Sequence, residues 1–117
     1  MANINYNRGT SFSMAYNHFR NGEVHTLVGA TIFFTVKENE FDDSADDSTA
    51  LIKKDITSHD DAANGVSSIE LLPADIGVAI EPGKYHYDVR VKEADGKIYK
   101  MLEGRFILDG SATNRIS

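Results

Sequence analysis

Cysteine and tryptophan are both absent from this 117-residue chain, and proline occurs only twice. Without cysteine there is no disulfide framework, no thiol nucleophile and no cysteine-ligated zinc, and the composition fits a protein that matures in a reducing cytoplasm. No apolar run approaches the roughly 20 residues that span a bilayer. The opening MANINYNRG has neither the basic start nor the apolar stretch of a secretory signal. The expectation is a soluble protein with no membrane partner. Basic residues are in short supply as well: 12 Lys and Arg stand against 18 Asp and Glu, a formal charge of −6, which argues against nucleic acid as a partner.

What is present is patterned. The length is that of one domain, residues 1–117, able to bury roughly two thirds of the surface its unfolded chain exposes. Between Glu38 and Ser48 lie Glu38, Glu40, Asp42, Asp43, Asp46 and Asp47 with no base among them, whereas from Lys84 onward seven Lys and Arg face five Asp and Glu. An acidic middle and a mildly basic last third suit contacts with copies of the chain or with a neighbour.

The clearest local signal is PGKYHYDVRVKEADGKIYKMLEGRFIL, Pro82 to Leu108. Tyr85, Tyr87, Val89 and Val91 alternate with Lys84, His86, Asp88, Arg90 and Lys92, the period of two of a half-buried strand. The stretch from Glu93 to Gly96 supplies turn chemistry, and a second strand runs from Lys97 to about Leu108. In that strand Ile98, Leu102, Phe106 and Leu108 share a parity interrupted by Lys100 and Gly104, so a bulge or a close backbone approach is expected near Gly104.

Elsewhere TSFSMAYNHF sets Phe12, Met14 and Tyr16 on one side, and the residues from Arg20 to Gly22 give a turn signal. In ATIFFTVKE the residues Ile32, Phe34 and Val36 point inward, and TALIKKDIT and VSSIELL read as two more strands. PADIGVAI has room for a single helical turn, but no ten-residue window keeps a helical stripe. Five or six strands, seven with EVHTLV, predict an all-β antiparallel sandwich. The polar ends, about 1–8 and 110–117, lie outside the strand pattern and read as terminal arms.

Chemistry has few footholds. His86 and Asp88 share the wet face of one strand, where His18, His25 or His59 would have to join them to hold a metal; a polar strand face needs no such assumption. No serine sits in a G-x-S-x-G context. Asp42, Asp43, Asp46 and Asp47 are the only candidate calcium ligands, but their spacing fails the EF-hand pattern and lacks its glycine, so a solvated loop is the simpler reading. Phe33, Phe41 and Tyr99 are the aromatics that core parity does not absorb, a thin basis for a sugar site without tryptophan. No catalytic residue and no cofactor is expected.

The order of motifs carries more than any one of them. RGTSF is followed by LVGATIFFTVK, an acidic spacer, ALIKK, IELLPAD, PGKYHYDVRV, DGKIYKMLEGRFIL and a closing TNR. Over roughly residues 8 to 115 this resembles the small domain of tailed-bacteriophage virion proteins, including the N-terminal domain of siphophage baseplate upper proteins. The resemblance implies an immunoglobulin-like antiparallel sandwich of about seven strands. It further implies a structural, non-enzymatic docking block on the tail or baseplate of a virion made in the bacterial cytoplasm. Capsid decoration is the alternative place and a glycan-binding adhesion module the alternative class. The partners implied are other virion proteins and copies of the chain itself in a symmetric assembly. The wet face of the His86 strand, with His86, Asp88, Arg90 and Lys92, is the candidate interface.

Overall fold

The computed structural model describes residues 3–7, 10–39, 49–75 and 80–110. The chain is all-β. Its strands are β1 (Ile4–Asn7), β2 (Phe12–Asn17), β3 (Phe19–Arg20), β4 (Glu23–Val24), β5 (Thr31–Lys37), β6 (Ile52–Ile56), β7 (Val66–Leu71), β8 (Gly83–Lys92) and β9 (Ile98–Asp109). Five of them form one sheet in the order β1-β9-β8-β5-β6, while β2 pairs with β7 and β3 with β4.

Period-two alternation decides which side of each strand is buried. Ile32, Phe34 and Val36 on β5 and Tyr87, Val89 and Val91 on β8 turn inward as expected, and so do Tyr16 on β2 and Ile69 and Leu71 on β7. These residues of the two sheets belong to a single buried cluster with Leu27, Phe106 and Leu108. Aromatic rings fill its centre: Phe34 lies 5.8 Å from Tyr87 and 6.4 Å, edge to face, from Phe106. Each such side chain contributes about 1.5–3 kcal/mol by leaving water. Tyr85 enters β8 with its hydroxyl donating to the carbonyl of Glu81, which ties the start of the strand to the chain that leads into it.

Three local expectations are corrected. The first concerns the segment 1–8, read as an arm. Ile4 and Tyr6 are buried, and Ile4–Asn7 pairs in parallel with β9, Ile4 opposite Phe106 and Asn7 opposite Asp109. The sheet is therefore not wholly antiparallel. Two alternating apolar residues among polar ones are a weak signal, but a ready-made edge of β9 is enough to order them. The arm expected at 110–117 lies outside the described residues beyond Gly110.

The second correction concerns the bulge. Val89 pairs with Leu102 and Arg90 with Lys100, so Met101 is the extra residue, whereas Gly104 pairs regularly with Tyr87. An inserted residue flips the parity behind it. Tyr99 consequently faces inward opposite Val91, and Ile98, expected in the core set, is exposed opposite Lys92.

The third is EVHTLV, which is a strand only over Glu23–Val24, with Leu27 buried in the core beyond it. PADIGVAI does begin with one 3-10 turn, Pro73–Asp75, and residues 76–79 lie outside the described set.

Candidate functional site

The densest polar structure is a carboxylate hub at one end of the β8–β9 hairpin. Glu93 follows β8, where its N–H donates to the Lys97 carbonyl at 2.9 Å and its own carbonyl accepts from Gly96 N–H at 2.8 Å. Tyr16 on β2, His18 between β2 and β3, Arg20 on β3 and His25 in the chain after β4 gather around it. Asn21 and Gly22, with φ of 54° and 79°, form the two-residue turn between β3 and β4. That tight return brings Arg20 and His25 to the same carboxylate.

Gly65 makes the backbone approach possible. His18 N–H donates to its carbonyl at 2.8 Å, and a Cβ at this position, where φ is +70°, would stand 2.5 Å from the His25 carbonyl oxygen. No side chain fits there.

An ionised carboxylate only accepts, so His18 Nε2 donates to Glu93 Oε2 at 2.8 Å. The other ring nitrogen, Nδ1, is hydrogen-bonded to the Tyr16 hydroxyl at 2.8 Å. Arg20 Nη1 donates to Glu93 Oε1 at 2.9 Å and lies 3.1 Å from His25 Nε2, which itself is 3.4 Å from Oε1. The guanidinium also stacks over the Tyr99 ring, 4.3 Å from its centre. His18 is fully buried, and among the described residues every buried side-chain polar atom has a partner.

Hydroxyl, imidazole and carboxylate in series are the parts of a proton relay, but the phenol is held out of that role. Burial first, and then the negative charge of Glu93, push the Tyr16 hydroxyl well above its ordinary range, so it stays O–H and acts as a donor. What the hub does mechanically is plain. It fastens a hairpin of two-residue strands, which has little apolar surface of its own to bury, onto the tip of β8–β9. Phe19 and Val24 pair across that hairpin and are 48% and 56% exposed.

The other candidate residues lie elsewhere. His86, Asp88, Arg90 and Lys92 do share the outward side of β8. There Asp88 accepts from Arg90 Nε at 3.1 Å, and His86 Nε2 is 3.7 Å from Glu103 on β9, which also accepts from Lys100 at 2.9 Å. Arg90 with Asp88 and Lys100 with Glu103 pair along their own strands, and His86 with Glu103 reaches across from β8 to β9.

His18 and His25 belong to the hub, and His59 bridges Ser67 Oγ and the Ala30 carbonyl at 2.9 Å each, so the four histidines do not converge. Among the described residues no group of three His, Asp or Glu is arranged to hold a metal ion. Asp42, Asp43, Asp46, Asp47 and Phe41 fall outside the described residues. Of the unabsorbed aromatics, Phe33 is half-buried on the outward side of β5, and Tyr99 is capped by Arg20.

Glu93 is the residue that sequence reasoning missed, because a glutamate beside Ala-Asp-Gly reads as part of a turn. One signal pointed toward it: His18 continues the inward parity of Phe12, Met14 and Tyr16, and a histidine carried into the core needs a partner. No protein-family model matches this chain, and no curated protein sequence matches it.

Proposed function

We propose that the chain is a structural, non-enzymatic docking domain of a tailed-bacteriophage virion, placed on the tail or baseplate. The reading starts from the ordered motifs between RGTSF and TNR. The observation that carries it furthest is the strand arrangement those motifs adopt: β1-β9-β8-β5-β6 in one sheet, with β1 parallel to β9, and β2 with β7 in the other. This is the order expected of an immunoglobulin-like sandwich, and Tyr85 supplies the tyrosine corner found at the entry of the corresponding strand in such domains.

A rigid block of this kind offers surfaces rather than a reaction. The hub around Glu93 stiffens one end, and the charged pairs along β8 and β9 give the large sheet a polar outer face. Both features support docking. The place on the particle rests on the resemblance alone.

Mass spectrometry of purified particles separated into heads and tails tests the proposal. The chain is expected in the tail fraction in multiple copies. Recovery in heads alone would move it to capsid decoration, and absence from both would overturn the virion reading. The glycan-binding alternative requires binding to host polysaccharide by the isolated domain, measured by affinity electrophoresis.

A further inference from the structure

Asparagine precedes glycine at two places in the sequence, Asn21–Gly22 and Asn64–Gly65. In such a pair the backbone nitrogen of the glycine can attack the asparagine side chain, because no Cβ on the glycine hinders its approach. The intrinsic chemistry of the two pairs is the same. The fold treats them differently.

Asn64–Gly65 is held at every point. Asn64 ends the 3-10 turn Ala62–Asn64, where its N–H donates to the Asp61 carbonyl at 3.2 Å and its side-chain Nδ2 donates to Asp61 Oδ2 at 2.8 Å. The Gly65 N–H, on the nitrogen that would attack, donates to the Ala62 carbonyl at 3.1 Å, and the Gly65 carbonyl accepts from His18 N–H at 2.8 Å. Gly65 itself is buried against the carbonyls of His18 and His25. Its peptide plane turns only if these bonds break.

Asn21–Gly22 carries none of these restraints. Both residues are exposed at the tip of the β3–β4 hairpin, and a Cβ on Gly22 would meet nothing within 4 Å. Among the described residues no hydrogen bond engages the Asn21 side-chain amide or the Gly22 N–H. The hairpin has only two residues in each strand, and Phe19 and Val24 are largely exposed, so little apolar burial opposes local opening.

We infer that Asn21 is a site of spontaneous covalent modification, converted to isoaspartate and aspartate in the folded protein, while the fold protects Asn64. The Gly22 nitrogen gives up its proton and attacks Asn21 Cγ. The new C–N bond closes a succinimide ring, the Cγ–Nδ2 bond breaks, and the side-chain nitrogen leaves as ammonia with that proton. Water then opens the ring. Cleavage between the Gly22 nitrogen and Cγ gives aspartate, whereas cleavage between that nitrogen and the Asn21 backbone carbonyl carbon gives isoaspartate, in which the main chain runs through Cγ and the old carbonyl becomes a free carboxylate. One water is consumed and one ammonia released, with no change of oxidation state.

The isoaspartate product alters the fold where it forms. It adds a methylene to the main chain of a two-residue turn in which both φ angles, 54° and 79°, are positive, and the Arg20–Glu23 pairing that closes the turn depends on that length. Arg20 then loses the position from which Nη1 donates to Glu93 at 2.9 Å, and His25 its approach to the same oxygen. Modification therefore releases the β3–β4 hairpin from the hub. Aspartate, with an unchanged backbone, leaves it fastened.

Peptide mapping by mass spectrometry tests the site, on the purified chain held in mildly alkaline buffer at body temperature and sampled over time. In the folded chain Asn21 should convert at least about tenfold faster than Asn64, the ratio that a difference of about 1.4 kcal/mol in reaching the reactive geometry produces. In concentrated urea the two rates should converge. Equal rates in the folded chain overturn the inference, and so does a ratio that persists in urea, since the preference would then belong to the neighbouring residues and not to the fold. Anion exchange separates the modified chains, and a methyl-acceptance assay specific for isoaspartate identifies them. The isoaspartate form should melt below wild type while freshly prepared Asn21→Asp melts with it. An isoaspartate form that melts with wild type, or an Asn21→Asp chain that melts as low as the isoaspartate form, overturns the release of the hairpin by the lengthened turn.

Discussion

Removing Glu93 should uncouple one end of the molecule while the core stays in place. In Glu93→Ala the carboxylate that receives His18 Nε2–H and Arg20 Nη1–H disappears. Arg20 and His25 have side chains 29% and 40% exposed, so both can turn to water, and their losses are discounted accordingly. His18 cannot, being fully buried. Its stranded donor costs about 1–3 kcal/mol, and loss of the charge-assisted bond from a partly buried arginine brings the total to about 2–4 kcal/mol, near the low end of what breaking a buried ion pair costs.

For a domain of this size that is a fall in Tm of about 8–16 °C by thermal denaturation. Glu93→Gln, which can still accept from His18 but turns an amide or a neutral oxygen toward Arg20, should fall between the variant and the wild type. A double-mutant cycle of Glu93→Ala with Arg20→Ala should give a coupling energy near 1 kcal/mol or more. A drop below about 2 °C for Glu93→Ala, or zero coupling, would refute the reasoning that the carboxylate holds the β3–β4 hairpin, since the loss would then fall within the range of ordinary surface changes.

Other expectations follow from the same geometry. Val89→Ala should cost about 1–3 kcal/mol in urea unfolding because the side chain is fully buried, whereas Arg90→Ala, 53% exposed and paired only along its own strand, should stay within about 0.5 kcal/mol. Gly65→Ala should destabilise by more than about 2 kcal/mol, through a left-handed backbone and a clash with the His25 carbonyl, and Gly96→Ala, with open space around it, by only the 1–2 kcal/mol of backbone strain. Burial tends to raise the Asp75 carboxyl, but the Leu72 N–H at 2.7 Å and Lys54 at 3.0 Å outweigh it and hold the group below its ordinary value. A lowered folded value stabilises above the unfolded value of about 4 and loses that contribution as pH falls through the folded one. Lys54→Met should therefore show a shallower loss of stability below about pH 4 in unfolding titrations.

The strands were legible because each is a local pattern. Phe12, Met14 and Tyr16, then Ile32, Phe34 and Val36, then Tyr85 to Val91 each declare a buried side through spacing alone, and the inward set matches. The glycine and asparagine turns declare themselves in the same way. Where the reading slipped, the cause was a partner. Met101 is a bulge because of how β9 sits on β8, and nothing in Lys-Met-Leu distinguishes it from a regular strand. Ile4–Asn7 is a strand because β9 has an edge to offer.

The hub shows the limit most clearly. His18 and Glu93 are 75 residues apart, and each alone has an unremarkable local reading, a histidine at the end of a strand and a glutamate in a turn. Alternation of apolar residues is a one-dimensional property and fixes which side of a strand is wet, so the sequence by itself determined the all-β class, the inward residues and the polar face of β8. Meeting across the fold is a three-dimensional property. Only the tertiary packing decided that His18, Arg20 and His25 would meet at one carboxylate, with Tyr16 behind His18, because a buried charge takes whichever donors the tertiary fold brings within about 3 Å.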